Sequence, residues 1–563
     1  MSEIRKDIPP SAPISATGRV GRRRVLVLCA HFRCDRTKQR SRDLLQPISG
    51  LHIASLIDEE QYDISLYHEN WHGPYDTRAV EHFDIVFLSG LQPDFDRMRQ
   101  LSYHFRRVGA TVVAGGNICS MFPAFASRFF DVVCVGGVES VRSVVHDFEQ
   151  GRLQPIYRSP QERITRYKLN YGLLRRAGID LPAHLIESSR GCSFRCRFCV
   201  IPAEGARHAT YDLATLSEAI DAALAASPWY SLRRLYPFFW FVDNNLSDNR
   251  EHLLQLADLL GRHKRVRAWG GLVTQNILKD RALMSRLAAS RCVALFAGVE
   301  SFDLAFLRRE NKKQNLANRA SVVEDILFAE RLGIGICYPY LFDPRYATVA
   351  DMQRQIDALV KIDGLPMPTF FSVILPLAGT ESFWESARAR ELRPDLRMRD
   401  LDGETIAFAR LADTESRLTE FIRNLSSRPE RLVDRRRLLW TTLRRLRNSG
   451  RWNPLLWFIM YAHNFRLFSL AKGYRDADRR SYLGGLDALD PQYSEYPMGI
   501  SAADKVRYFD PIQLTNERGE LADWLLPYAR KIGPGAHSAL PPGTEDWSIS
   551  IGDVGDGSGQ GHS

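Results

Sequence analysis

The stretch Glu187-Ser-Ser-Arg-Gly-Cys192-Ser-Phe-Arg-Cys196-Arg-Phe-Cys199 decides how the rest of the chain reads. It spaces three of the nine cysteines as C-x3-C-x2-C, directly after an apolar run (Leu185, Ile186) that reads as a strand. Thiolates this close together on a loop suit a soft metal or a cluster. A structural zinc site wants four closed ligands, commonly two C-x2-C pairs. Here there is no second pair, and no His follows at zinc-finger spacing. A [4Fe-4S] cubane takes four ligands, so three cysteines would leave one iron open to a substrate or cofactor.

These residues resemble the radical SAM superfamily, which carries a [4Fe-4S] cluster on C-x3-C-x2-C with an aromatic residue before the last Cys. Phe198 holds that aromatic position, and Ser189-Arg190-Gly191-Cys192 matches the usual lead-in. The resemblance implies that Cys192, Cys196 and Cys199 are metal ligands. It also implies that S-adenosylmethionine (SAM) chelates the open iron.

Working outward, residues 23–160 alternate short apolar runs with helix-compatible segments. The runs are Arg24–Ala30, Asp63–Tyr67, Asp84–Leu88, Thr111–Ala114 and Asp131–Val135. Such alternation predicts an α/β, doubly wound parallel sheet whose ligand sits beyond the carboxyl ends of the strands. Those ends read Ser89-Gly90-Leu91, Gly115-Gly116 and Gly136-Gly137, small enough to admit a long ligand tail. The arrangement resembles the cobalamin-binding domain that precedes the barrel in a large radical SAM subfamily. By that resemblance Ser89, Leu91, Gly115, Gly116, Gly136 and Gly137 bind cofactor. The D-x-H-x-x-G motif that supplies a lower axial His elsewhere is absent, because the chain reads His31-Phe-Arg-Cys-Asp35-Arg after its first strand. His31, His68 and His72 are then only nominal candidates for the lower cobalt ligand.

From 165 to 400 the pattern continues with runs at Phe238–Val242, Ala268–Val273, Cys292–Val299, Gly335–Tyr340 and Phe370–Leu375. With the strand before the cysteines this makes six units, which the resemblance implies form a partial (β/α)6 barrel. Polar residues close its strands: Asp243, Asn244 and Asn245, then Thr274, then Glu300 and Ser301. The family reads the amine, ribose and carboxylate of SAM from such positions, so these six are candidate cofactor contacts. Two further segments, Asn311-Lys312-Lys313-Gln314-Asn315 and Pro376-Leu-Ala-Gly379-Thr380, also resemble the cobalamin-dependent subfamily.

Residues 401–535 are expected to form a mostly helical substrate or lid domain, with helices at 428–448 and 455–472. Residues 1–22 and 536–563 read as disordered tails, the latter rich in Gly. With 45% hydrophobic and 25% charged residues among 563, the composition is that of a soluble globular protein. Nine cysteines in a chain this long, three of them clustered, do not make a secreted disulfide framework. No apolar run is long enough to span a bilayer, and no signal-peptide core opens the chain. A cytoplasmic location is expected. The net charge of +10 reads as solvated arginine-rich helix faces, with nucleic acid not the expected partner.

Together the resemblances imply a cobalamin-dependent radical SAM enzyme, most simply a C-methyltransferase acting on a small molecule or natural-product intermediate. It would use two SAM: one as methyl source through cobalamin, one as source of a hydrogen-abstracting radical. An electron donor such as flavodoxin or ferredoxin is implied as partner. A cyclising or ring-rearranging enzyme is the alternative within the family. A cobalamin-binding regulator would need no cluster cysteines. A tRNA methylthiotransferase should carry a second cysteine set, and Cys29, Cys34, Cys119 and Cys134 are not spaced for one.

Overall fold

The computed structural model describes residues 22–31, 48–78, 81–159, 169–179, 183–205, 208–227, 232–317, 321–362, 364–402, 405–427, 440 and 496–529. Its first sheet has six parallel strands in the order β2-β1-β3-β4-β5-β6. They are β1 (Arg23–Cys29), β2 (Tyr62–His68), β3 (Ile85–Gly90), β4 (Thr111–Gly116), β5 (Val132–Val135) and β6 (Ile156–Arg158). Strand order reverses between β1 and β3, the switch point at which a doubly wound sheet opens a ligand crevice. Alternate residues of β1 enter opposite cores, as a parallel sheet covered on both faces requires. Val25 and Val27 pack with Leu51 and Ile53, while Leu26 and Leu28 pack with Phe95 and Leu101. Strand β6 has no counterpart in the sequence reading; its three residues are too short a run to stand out.

The second half begins with β7 (His184–Ile186), followed by the short antiparallel pair β8 (Ser189–Arg190) and β9 (Ala209–Thr210). Then come β10 (Phe238–Phe241), β11 (Ala268–Thr274), β12 (Cys292–Gly298) and β13 (Gly335–Cys337). These pair in parallel in the order β13-β12-β11-β10-β7. The expected continuous run over Gly335–Tyr340 is broken at Tyr338. Beyond it β14 (Pro339–Phe342) pairs in parallel with β15 (Phe370–Val373), and a Glu300–Tyr340 bridge ties β14 back toward β12.

Helices between these strands are set by ordinary caps. Asp212 opens Leu213–Ala226, Asp280 opens Arg281–Ala289, and a Thr348/Asp351 capping box opens Val349–Lys361.

The described part of the last third does not stand apart. Tyr508, Phe509, Ile512, Leu514 and Leu525 join Phe95, Leu101, Tyr103 and Phe105 in the core on one face of the first sheet. The helices expected at 428–448 and 455–472, and both tails, lie outside the described residues. Among the described residues no helix is long and apolar enough to cross a membrane.

Candidate functional site

Strand β7 delivers Glu187 to Arg190 and then the three cysteines, and the polar triplet after β10 forms the seat beneath them. Asp243 is fully buried; it accepts from Ser188 N (3.1 Å), Ser188 Oγ (2.8 Å) and Ser189 Oγ (2.6 Å). Burial pushes its pKa up to about 7, with the Ser189 hydroxyl opposing. Asn244 Oδ1 accepts from Gly191 N at 2.9 Å. Asn245 Nδ2 donates to Cys192 Sγ at 3.6 Å and to Asp248 Oδ1 at 3.0 Å. All three residues therefore touch the cysteine loop. Asp248 also accepts from Ser193 N and Ser193 Oγ, a support that sequence reading missed.

Cys192, Cys196 and Cys199 are free thiols, each partly exposed. Burial raises Cys192, and it raises Cys199 to about 12, so these sulfurs need a positive partner to ionise. Iron would supply that charge. Gln314 Nε2 donates to Cys196 Sγ at 3.6 Å, so two of the three sulfurs already meet amide donors. Lys312 lies beside them, its Nζ 3.3 Å from Glu300 Oε1. Burial opposes its charge, yet Glu300 and the neighbouring sulfurs of Cys196 and Cys199 outweigh that and hold the ammonium above the usual Lys range. Three thiols ringed by amide donors and a cation fit a thiolate-ligated cluster. Among the described residues no three His, Cys, Asp or Glu side chains converge on a single-ion site.

The other candidate SAM contacts line the same strand ends. Thr274 Oγ1 lies 3.0 Å from Ser247 Oγ, and Ser247 Oγ donates in turn to Asn245 Oδ1 (2.7 Å). Glu300 sits in the left-handed region at φ 64°, a conformation a non-glycine residue holds only under constraint. Ser301 is buried and its Oγ accepts from Asp303 N at 3.0 Å.

At the first sheet, Ser89 lies opposite Gly115, and Gly90 opposite Gly116. A Cβ on Gly116 (φ 115°) would meet Gly90 O at 2.4 Å, whereas one on Gly115 would meet only Cys134 Cβ at 3.9 Å. Gly136 also has positive φ, with open space where a Cβ would stand. Leu91 leaves 65% of its surface exposed just beyond β3, unusual for a large apolar residue beside a switch point.

This end of the first sheet abuts the cysteine loop. Arg190 Nη1 lies 3.8 Å from Glu139 Oε1, just beyond Gly136-Gly137. Glu187, which accepts from Tyr211 OH at 3.0 Å, has an oxygen 3.3 Å from His52 Nε2 of the first half. Burial, then Arg190, lowers the pKa of His52 well below the ordinary value, so the imidazole is neutral. Beyond β15, Gly379 fits against Met121 and Phe122, where a Cβ would come within 2.6 Å of Met121 Sδ. Thr380 then caps the helix Glu381–Arg388. That helix grips the loop from its other side: Ser382 N donates to Arg197 O, and Arg197 meets Glu381 (3.2 Å) and Glu385 (3.2 Å).

No family model matches the chain. It is 27% identical over 349 residues to the bacteriochlorophyllide d C-8(2)-methyltransferase of Chlorobaculum tepidum, covering 60% of this chain and 75% of that protein. It is 24% identical over 250 residues to the hopanoid C-3 methylase of Methylococcus capsulatus, covering 43% of each. Two solved structures share its fold. One is the radical S-adenosylmethionine methyltransferase TsrM from Kitasatospora setae with cobalamin and a [4Fe-4S] cluster bound (TM-score 0.52, 16% identity, 81% of this chain and 99% of that one). The other is the cobalamin-dependent S-adenosylmethionine radical enzyme OxsB with aqua-cobalamin and S-adenosylmethionine bound (TM-score 0.54, 14% identity, 81% and 72%).

Proposed function

We propose that this chain, a relative of methyltransferases in sequence and of cobalamin-dependent radical SAM enzymes in fold, methylates an unactivated carbon of a small molecule using two SAM. The observation that carries the reading is the shared boundary. The open strand ends of the first sheet and the cysteine loop meet through Arg190 and Glu139, so a substrate between them would face both. Residues 23–160 would be the cobalamin-binding domain and 165–400 a partial barrel around SAM.

When bound, the cluster would supply the electron that cleaves SAM, and cobalamin a cobalt centre able to carry methyl. The protein's own work is placement and exclusion of water. Cys192, Cys196 and Cys199 would hold iron, with Asn245 and Gln314 steadying two of the sulfurs. Asp243 and Asn244 would hold the loop backbone at Ser188 and Gly191 so that the three thiols keep their spacing. Glu300 and Thr274 offer a carboxylate and a hydroxyl suited to the amine and ribose of SAM. Gly115 and Gly136, beside which a Cβ would find room, would leave a path for the corrinoid's nucleotide tail, with Ser89 and Leu91 at its entrance and Gly116 packed against Gly90 O.

The test is anaerobic reconstitution of the full chain with iron, sulfide and cobalamin. About four irons per chain are expected, with a corrinoid spectrum and reductant-dependent conversion of SAM to methionine and 5′-deoxyadenosine. Changing the three cysteines to Ala should abolish iron binding and SAM cleavage while cobalamin is still held. SAM cleavage by the triple variant would end the radical reading, and a wild type that holds its cluster but excludes cobalamin would end the methyltransferase one.

A further inference from the structure

After the helix Leu304–Arg309 the chain turns and runs alongside the cysteine loop. Glu310 O accepts from Arg197 N at 3.2 Å, Asn311 Nδ2 donates to Arg195 O at 2.7 Å, and Gln314 Nε2 donates to Cys196 Sγ at 3.6 Å. These contacts fix the register of residues 310–314 on the loop, and Lys312 is carried between them. Its side chain is only 4% exposed. The Nζ lies 3.3 Å from Glu300 Oε1 and 5.8 Å from the ring centroid of Phe198, the residue before Cys199. A Cβ on Gly298 would stand 3.4 Å from that Nζ and 3.2 Å from Glu300 Oε1, so the glycine leaves the pair its room.

We propose that Lys312 is a positioning residue that sets the reduction potential of the cluster, its buried ammonium held beside the Phe198 ring of the cysteine loop while Glu300 moderates its charge. The inference rests on the reading that the three cysteines hold iron. Reduction by an external low-potential one-electron donor would add one electron to a centre held by three thiolates, and no bond in the protein would be made or broken. A fixed cation in a poorly solvated site stabilises that extra negative charge more than it would in water. An N–H donor on a ligand sulfur acts in the same direction, which gives Gln314 a smaller share of the effect. Glu300 opposes it. The pair thus offers two levers of opposite sign on one property, a signature that simple packing would not produce.

The experiment is a mediated redox titration of the reconstituted full chain, without SAM, followed by electron paramagnetic resonance (EPR). Lys312→Met should move the midpoint to a more negative potential, Lys312→Arg should restore it, and Glu300→Gln should move it positive. Gln314→Leu should follow Lys312→Met with a smaller shift. Equal midpoints for wild type, Lys312→Met and Glu300→Gln at equal iron content would overturn the proposal. If Lys312→Met fails to retain iron, the opposed shifts of Glu300→Gln and Gln314→Leu decide, and their absence overturns it. A wild type that binds no iron would instead overturn the cluster reading, and this inference with it.

Discussion

Gln92 and the backbone of Ala378 hold each other through two buried hydrogen bonds: Gln92 Nε2 donates to Ala378 O at 2.8 Å, and Ala378 N donates to Gln92 Oε1 at 3.0 Å. Gln92 follows the exposed Leu91 at the switch point of the first sheet. Ala378 lies two residues before the Thr380 cap of the helix that grips Arg197 between Cys196 and Phe198. One side chain therefore ties the first sheet's mouth to the scaffold of the cysteine loop.

Gln92→Ala should cost stability, because it strands a buried N–H and a buried carbonyl at once. Each orphaned group is worth about 1–3 kcal/mol. Iron content should be retained, since the sulfurs and their amide donors lie elsewhere. Urea unfolding and iron analysis of the same preparation check both halves. A variant as stable as wild type would show that the clasp contributes nothing.

Much of this architecture is legible in the sequence because its signals are local. The cysteine spacing lies within one loop, and strands buried on both faces leave uninterrupted apolar runs such as Val25–Leu28. The Gln92–Ala378 clasp is not legible, since its partners are 286 residues apart and one contributes only backbone. Asp243 shows a subtler limit. A carboxylate at a strand end reads as facing the mouth, yet here it turns to the hydroxyls and N–H of Ser188 and Ser189 beside it. Lys312 and Gln314 stood out only by resemblance; their approach to the sulfurs depends on how residues 310–314 lie along the loop.

The two neighbouring glycines should separate cofactor binding from folding. Gly116→Ala forces a Cβ against Gly90 O at a φ of 115° and should destabilise the first sheet. Gly115→Ala, with its nearest atom at 3.9 Å, should fold normally. Gly115→Leu should then fold yet lose the corrinoid spectrum by filling the tail's path. Full corrinoid binding by Gly115→Leu would place the tail elsewhere.

Asp243 should give the fold a pH dependence opposite to that of a salt-bridged carboxylate. Its folded pKa, about 7, lies above the ordinary aspartate value of 3.8, so between the two the native state keeps a proton that the unfolded chain has lost. Stability is fully present below the lower value and falls as pH rises toward 7, by on the order of a few kcal/mol. Buried Glu310, also raised to about 7 by burial, adds in the same direction. Urea midpoints of cluster-free protein at pH 5 and 8 should therefore differ, and less so in Asp243→Asn. An unchanged difference in that variant would assign the effect to other groups.

The last prediction concerns the lower face of a bound corrinoid, where the sequence lacks an axial-His motif. His72 has both ring nitrogens committed: Nδ1 accepts from His68 N at 2.9 Å, and Nε2 donates to Ala177 O at 2.7 Å. His68 is buried at the end of β2, its pKa lowered to about 4 by burial and then by the neighbouring histidines. His31 has its backbone N–H on Glu69 Oε2 (2.9 Å) and its Nδ1 3.5 Å from Asp94 Oδ1. The His31 and His72 rings are thus engaged within the first half of the chain and the His68 ring is buried, and the large residue presented beyond β3 is Leu91, which offers no lone pair. Bound cob(II)alamin should be base-off and free of protein nitrogen. An axial nitrogen splits each cobalt line of the EPR spectrum into three, so the expected spectrum has no triplet. A clear triplet that vanishes in His31→Ala would identify a ligand that its place beside Asp94 had concealed. One that vanishes only in His68→Ala or His72→Ala would require the β2 end to rearrange when the cofactor binds.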